Sequence, residues 1–330
     1  MRFRVKWQYR LVVLVLLQVM ALGACSPSPT SPASGFRVAL LTPGPVSDGG
    51  WNAAAYSGLQ LIKTRLGAET ALVQTTSPAD FEDSFRDFAS RGFNIIFAHG
   101  FEYTDTAVSV ARDFPNTYFV VSSGGASSHN VASLTFDFDQ ATYIEGIIAA
   151  GVSKTGIAGA IGGVELPSIK ATFDGFKRGF LSARPNGRML VSFTGNFNDV
   201  GAAKEATLAQ IGQGADVFIH NADAAGLGVF LAAGQAHAFA FGAFNNQNEV
   251  APEVVLASAI TSIPMAFLKI ASEVKGHRFH PAMLVFGMKD GMVEVVLNPK
   301  LQSRIPAESL ARARKAEQEF RTGSALASVP

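Results

Sequence analysis

The 330-residue sequence holds a single cysteine, Cys25, which excludes an intramolecular disulfide framework and any cysteine-rich zinc site. Charge is scarce too. Charged side chains are 16% of the chain and the formal net charge is +1, so the broad positive field that polyphosphate partners require is missing and nucleic-acid binding is not expected. The apolar run near the N-terminus is shorter than the roughly 20 residues of a comfortable membrane span. Chemistry-bearing motifs are also few. The glycine-rich segment 156–163 lacks Gly-x-Gly-x-x-Gly spacing and a following Walker lysine, and reads as a strand. Ser122-Ser123-Gly124-Gly125 is not a Gly-x-Ser-x-Gly elbow, and no serine, histidine and acid follow in hydrolase order. The six histidines are scattered: His99 and His220 end strands and are candidates for lining a cleft, while His277 and His280 lack clustered carboxylates. Neither a metal nor a cofactor is expected, and an N-terminal aspartate-rich calcium cluster is absent. What is present is 48% hydrophobic and 10% aromatic content, enough for packed cores in two globular lobes.

Residues 1–24 carry Arg2, Arg4, Lys6 and Arg10, no acid, and then an apolar stretch, which is the pattern of a secretory signal. The stretch ends Leu22-Gly23-Ala24-Cys25 and resembles the bacterial lipobox, which implies lipid attachment at Cys25 once the leader is removed. Loss of the leader would leave the mature chain at net −3. Residues 26–34 are all Ser, Pro, Thr and Ala, a composition that cannot bury a core and favours extended chain, so 25–35 reads as a tether.

From residue 36, short apolar runs alternate with helical stretches. Strands are expected at 36–41, 71–75, 94–98 and 117–122, with helices at 52–66, 79–91 and 104–113. A second series begins at 156, with strands at 157–161, 188–193, 217–220, 238–241 and 255–258 and helices at 167–183, 202–212, 226–233 and 262–275. A strand pair, 283–287 and 293–297 around the turn at Lys289-Asp290-Gly291-Met292, and a polar helix at 308–320 close the order. The fold class is therefore α/β, two doubly wound parallel-sheet lobes, with 36–144 plus about 257–290 in the first and 145–256 plus about 291–325 in the second. Two such lobes in one exported, tethered chain point to a clamshell receptor with its ligand at the carboxyl ends of the strands.

The loop after the first strand is Thr42-Pro43-Gly44-Pro45-Val46-Ser47-Asp48-Gly49-Gly50-Trp51-Asn52. It offers a flat heteroaromatic ligand a stacking ring, an amide, a carboxylate and close backbone approach. Equally, Asp48 or Asn52 could simply cap the helix while Trp51 packs in a core.

At this loop the sequence resembles the basic membrane protein family of ABC-transporter substrate-binding lipoproteins, whose members mostly bind purine nucleosides or nucleobases. The resemblance continues through His99-Gly100-Phe101-Glu102-Tyr103, Phe136-Asp137-Phe138-Asp139-Gln140, Gly162-Gly163-Val164-Glu165-Leu166-Pro167, Phe197-Asn198-Asp199, Gln213-Gly214-Ala215-Asp216-Val217 and Gly287-Met288-Lys289-Asp290-Gly291, so that it spans 36–297. It implies a type I periplasmic-binding clamshell, a monomer without enzymatic activity that partners an ABC permease. It also implies a lipid anchor on the extracytoplasmic side of the cell membrane. Two positions depart from the nucleoside-binding pattern: the family's ribose-binding aspartate and lysine correspond to Phe244 and Thr261. The early aspartate of the first loop falls on Thr42 or Pro43. A ribose would lose charged hydrogen-bond partners contributing roughly 1.5–3 kcal/mol each. The Gly44–Trp51 loop is closest to a subgroup suited to free nucleobases such as adenine.

On this basis Trp51 and one of Phe101, Phe138 or Phe197 are expected as ring partners, with Asp48, Asn52, Asn221 and Asp223 reading the polar edge of the ligand and Phe244 capping the space that ribose fills elsewhere. Other readings stay open at this stage. They are a receptor of the same fold for riboflavin, a sugar or a signal molecule, a nucleoside-acting enzyme, and a surface lipoprotein acting as an adhesin.

Overall fold

In the computed structural model, residues 35–48 and 50–324 are described, so the expected leader, Cys25 and nearly all of the tether lie outside the described residues. Phe36 opens the compact unit to which the described elements belong. Its first strand, β1 (Arg37–Thr42), shows why the apolar runs are continuous rather than alternating. Val38 and Leu40 pack into one core, Ala39 and Leu41 into another on the opposite face, and all four are fully buried.

The first lobe continues with α1 (Trp51–Leu66), β2 (Glu69–Gln74), α2 (Pro78–Ser90), β3 (Ile95–His99), α3 (Thr104–Ala111), β4 (Tyr118–Ser122) and β5 (Val131–Phe136). The chain then crosses into the second lobe: α4 (Phe138–Val152), β6 (Ile157–Gly162), α5 (Pro167–Ala183), β7 (Arg188–Phe193), α6 (Val200–Gly212), β8 (Val217–Asn221), α7 (Gly226–Gln235), β9 (Phe239–Phe244) and β10 (Val255–Thr261). It returns with α8 (Ile263–Lys275) and β11 (Met283–Phe286), and crosses once more to β12 (Val293–Leu297) and α9 (Ala307–Thr322). One sheet has the order β11-β5-β4-β3-β1-β2, all parallel; the other has the order β12-β10-β9-β8-β6-β7, parallel except for β12, which runs antiparallel to β10. Helices cover both faces of each sheet, α1 and α8 packing on one face of the first and α2 with α3 on the other. Among the described residues no helix is long and apolar enough to cross a membrane.

Three sequence-based expectations change. The strands at 283–287 and 293–297 do not pair: β11 joins β5 in one sheet, β12 joins β10 in the other, and the turn between them is a crossover. Each short strand finds a free sheet edge where its backbone groups are satisfied, which a two-stranded ribbon alone would not achieve. Strand β5 and helix α4, unassigned from sequence, complete the switch from one sheet to the next. The lobe boundaries move accordingly. All of α4 packs with α5 and all of β10 lies in the second sheet, so the crossings fall near 137 and 262 rather than 144 and 257.

Candidate functional site

Both parallel sheets point the carboxyl ends of their strands at one cleft, which is where a doubly wound fold leaves backbone groups and loop side chains unclaimed. The cleft encloses a cavity of about 340 Å³. Loops after β1, β3 and β4 supply Asp48, Trp51, Asn52, Phe101, Glu102 and Ser123; segments after β5 to β10 supply Phe138, Asp139, Phe197, Asp223 and others. All of the residues anticipated from sequence, Asp48, Trp51, Asn52, Phe101, Phe138, Phe197, Asn221, Asp223 and Phe244, line this single cavity.

The first loop is organised by Asp48. Its carboxylate accepts from the backbone N–H groups of Gly50, Asn52 and Ala53 at 3.0, 2.9 and 2.9 Å, and from Asn52 Nδ2 at 2.7 Å. It therefore caps α1, satisfying N–H groups that a helix start leaves without partners. With its oxygens so occupied, Asp48 is a poor reader of a ligand. Asn52, tied through its Nδ2, keeps Oδ1 buried and without a partner.

Trp51 is held from behind. Its indole stacks on His99, centroids 4.1 Å apart, and the His99 ring is anchored at both nitrogens: Nε2 lies 3.0 Å from the Trp51 carbonyl and Nδ1 lies 2.9 Å from Ser122 Oγ. A carbonyl only accepts, so Nε2 carries the proton and Nδ1 accepts from the serine. Burial pushes the His99 pKa down to about 3, against smaller opposing effects of the Trp51 hydrogen bond and Asp48, and the ring is neutral at physiological pH. His99 supports the cavity wall and His220 does not line it either; fully enclosed, it reaches Gln247 Oε1 at 3.0 Å through Nε2.

The lobes touch across the cleft. Trp51 donates its backbone N–H to Asp223 Oδ1 at 3.3 Å, and Asn245 Nδ2 donates to the Gly50 carbonyl at 2.9 Å. Burial, and next the facing Asp48 carboxylate, raise the Asp223 pKa to about 7. Phe244 completes the contact: it stacks on Phe138 at 4.7 Å and 11° and meets the Trp51 edge at 5.4 Å. Its φ of 67° is a left-handed value that bulky residues avoid, at a cost on the order of 1–3 kcal/mol. These rings form an apolar wall, so Phe138 has one face covered by Phe244. By contrast Phe101, half exposed, and Phe197 stack on no other ring among the described residues.

The remaining polar positions differ in how much they have left to offer. Asn221 Nδ2 donates one hydrogen to Thr172 Oγ1 at 2.9 Å, which fixes the orientation of its amide. Thr261 lines the cavity with a buried Oγ1 that has no partner. Glu102, Asp139, Ser123, Phe136 and Thr172 are wall residues that sequence reasoning did not single out; Glu102, Ser123 and Asp139 follow strand ends closely, Phe136 ends β5, and Thr172 lies in the second turn of α5. Among the described residues no group of three or more His, Cys, Asp or Glu side chains could hold a metal ion.

Comparison with known proteins agrees with this architecture. The family model described as ABC transporter substrate-binding protein PnrA-like matches residues 36–321. A purine-binding protein of Brucella abortus is 28% identical over 294 residues, covering 87% of this chain and 83% of its own. An ABC transporter nucleoside-binding protein of Lactococcus lactis is 25% identical, covering 86% of this chain and 90% of its own. Among solved structures, an ABC transporter solute-binding protein from Aeropyrum pernix superposes with a TM-score of 0.80 at 20% identity, covering 88% of this chain and 92% of that one.

Proposed function

The chain belongs to the PnrA-like (Bmp) family of ABC transporter substrate-binding proteins, and from that premise we propose that it closes over a free purine-type base and delivers it to an ABC permease. The observation that carries the choice of base over nucleoside is the Phe244 wall. By the family resemblance Phe244, whose ring stacks on Phe138, stands where nucleoside binders carry a ribose-binding carboxylate, and Thr261 where they carry a lysine. A ribose hydroxyl directed at the Phe244 ring would meet carbon, and an unpaired hydroxyl in such a site costs about 1–3 kcal/mol. A cavity of about 340 Å³ sits at the small end of the roughly 300–1,000 Å³ range of ligand pockets. The names of the Brucella and Lactococcus relatives support a purine or nucleoside class of ligand.

Binding proceeds without turnover in this reading, since the cavity wall holds no activated nucleophile. The two lobes exclude water, which strengthens the few polar contacts the ligand makes. Cys25 and the tether to residue 35 would hold the monomer at the outer face of the cell membrane.

The test is a thermal-shift screen of residues 35–330, refolded to remove bound ligand, against free purines, pyrimidines, nucleosides, riboflavin and simple sugars. A ligand at a hundredfold excess over its Kd should stabilise by about 2.7 kcal/mol. Free bases are expected to exceed their nucleosides; stabilisation by nucleosides alone, or by riboflavin or a sugar alone, would overturn the assignment. Membrane fractionation of the full chain and its Cys25→Ser variant tests the anchor, which requires the variant to become soluble.

A further inference from the structure

The charged side chains of the cavity wall are all of one sign. Asp48, Glu102, Asp139 and Asp223 line it, and no lysine, arginine or histidine does. Three of the four are already accounted for. Asp48 accepts from three backbone N–H groups, Asp139 pairs with Arg178 at 2.6 Å, and Asp223 accepts from the Trp51 backbone across the cleft. Glu102 is different: among the described residues it makes no ion pair and no hydrogen bond to another residue, and its carboxyl lies half-buried against Gly100.

A group of acids alone would say little. Independently, Asn52 Oδ1 and Thr261 Oγ1 are enclosed in residues 6% and 3% exposed, both line the same cavity, and neither has a partner. A buried oxygen left unpaired costs free energy unless a ligand supplies the missing group. Asn52 Oδ1 and the Glu102 carboxylate can only accept and so call for donors, while the Thr261 hydroxyl can pair with either kind of group. Acceptors without a cation also set up a negative potential in a water-poor cavity, which disfavours anions and favours positive charge.

We propose that the cavity selects its heterocycle by hydrogen-bond polarity, taking neutral or protonated rings that bear an amino group and rejecting acidic or phosphorylated ones and those with an oxo group in place of that amino group, with Glu102 as the residue that reads the amino group. This rests on the reading of the site as a heteroaromatic binder and narrows it to amino-substituted bases. Specificity follows from mismatch. An oxo group directed at Glu102 sets acceptor against acceptor, and a site built to pair a ligand N–H discriminates strongly against an analogue lacking it. A phosphate would face the uncompensated Glu102 carboxyl, with no basic side chain on the cavity wall to pair with it.

Titration calorimetry at pH 7 with ligand-free residues 35–330 tests this, using two isosteric pairs, adenine with hypoxanthine and cytosine with uracil, together with adenosine monophosphate. The amino member of at least one pair is expected to bind tenfold or more tightly than its oxo partner, with no binding of the monophosphate. In Glu102→Gln, whose amide can also donate, that ratio should fall at least fivefold. Equal binding of amino and oxo members, no binding by any of the four bases, binding of the monophosphate, or an unchanged ratio in Glu102→Gln would overturn the proposal. If cytosine binds over uracil while both purines are silent, the polarity rule stands and the purine assignment falls. Should hypoxanthine exceed adenine, the purine assignment stands and the rule falls.

Discussion

Trp51 and Asp223 are 172 residues apart in sequence and meet across the cleft, where the backbone N–H of one donates to the carboxylate of the other at 3.3 Å. The contact joins the loop that caps α1 to the turn after β8, so the two lobes are coupled at the wall of the cavity. Any change at this point acts on closure as well as on the ligand.

Gly50 leaves room for that contact. A Cβ at this position would sit 2.0 Å from Asp223 Oδ1, too close for the lobes to approach as they do. Gly50→Ala is expected to weaken the best ligand of the screen at least tenfold and, because the lobes already touch here and the backbone (φ −128°, ψ −120°) is one that alanine avoids, also to lower the Tm of the ligand-free protein. Calorimetry beside a melting curve distinguishes the two effects, and an unchanged affinity would show that closure tolerates the methyl group.

Asp223 makes stability depend on pH in a defined direction. With its pKa raised to about 7, the folded chain keeps a proton that the unfolded chain has released above about pH 4. Its contribution is therefore fully present below pH 4 and is lost as pH rises through 7. Asp223→Asn retains an acceptor for the Trp51 N–H and removes the charge. The variant should gain on the wild type by about 2 kcal/mol between pH 5 and pH 8, roughly 4 °C in Tm. A difference that does not vary with pH would contradict the origin given for the shift.

Trp51 is a built-in reporter. The chain has two tryptophans, Trp7 and Trp51, so a protein beginning at residue 35 carries only the one in the cleft. Its emission is expected to change on addition of a stabilising ligand, and Trp51→Ala should lose at least tenfold in affinity, since aromatic stacking contributes about 0.5–1.5 kcal/mol beyond the buried area. Emission that stays constant at saturating ligand would place the ligand away from the indole.

Glu145 is a structural liability rather than part of the cavity. It lies on α4, fully buried beside the Ala259 backbone, with neither carboxyl oxygen in a hydrogen bond of good geometry, and burial raises its pKa well above the carboxylate range. Glu145→Met replaces an enclosed polar group with an apolar one of similar volume and should stabilise the protein by about 1–2 kcal/mol at pH 7. A lower Tm would reveal a partner for the carboxyl.

Much of this organisation was legible in the sequence. Continuous runs such as Val38-Ala39-Leu40-Leu41 mark strands buried on both faces, and loops rich in Gly, Asp, Asn and aromatic residues after those runs mark the cleft. The partners of each side chain were not legible. His99 ends a strand like any other, yet it stands behind Trp51; Asp48 reads as a ligand contact, yet it spends its oxygens on the start of α1.

Local pattern thus determined which segments are strands and helices and which loops gather at the cleft, because periodicity and turn chemistry act over a few residues. Tertiary structure alone decided that β11 and β12 part to different sheets and that Asp223 faces Trp51. It also decided that Phe244 closes on Phe138 and that Glu102 is left without a countercharge. Those outcomes depend on sheet edges, burial and fields that arise only when segments distant in sequence are brought together.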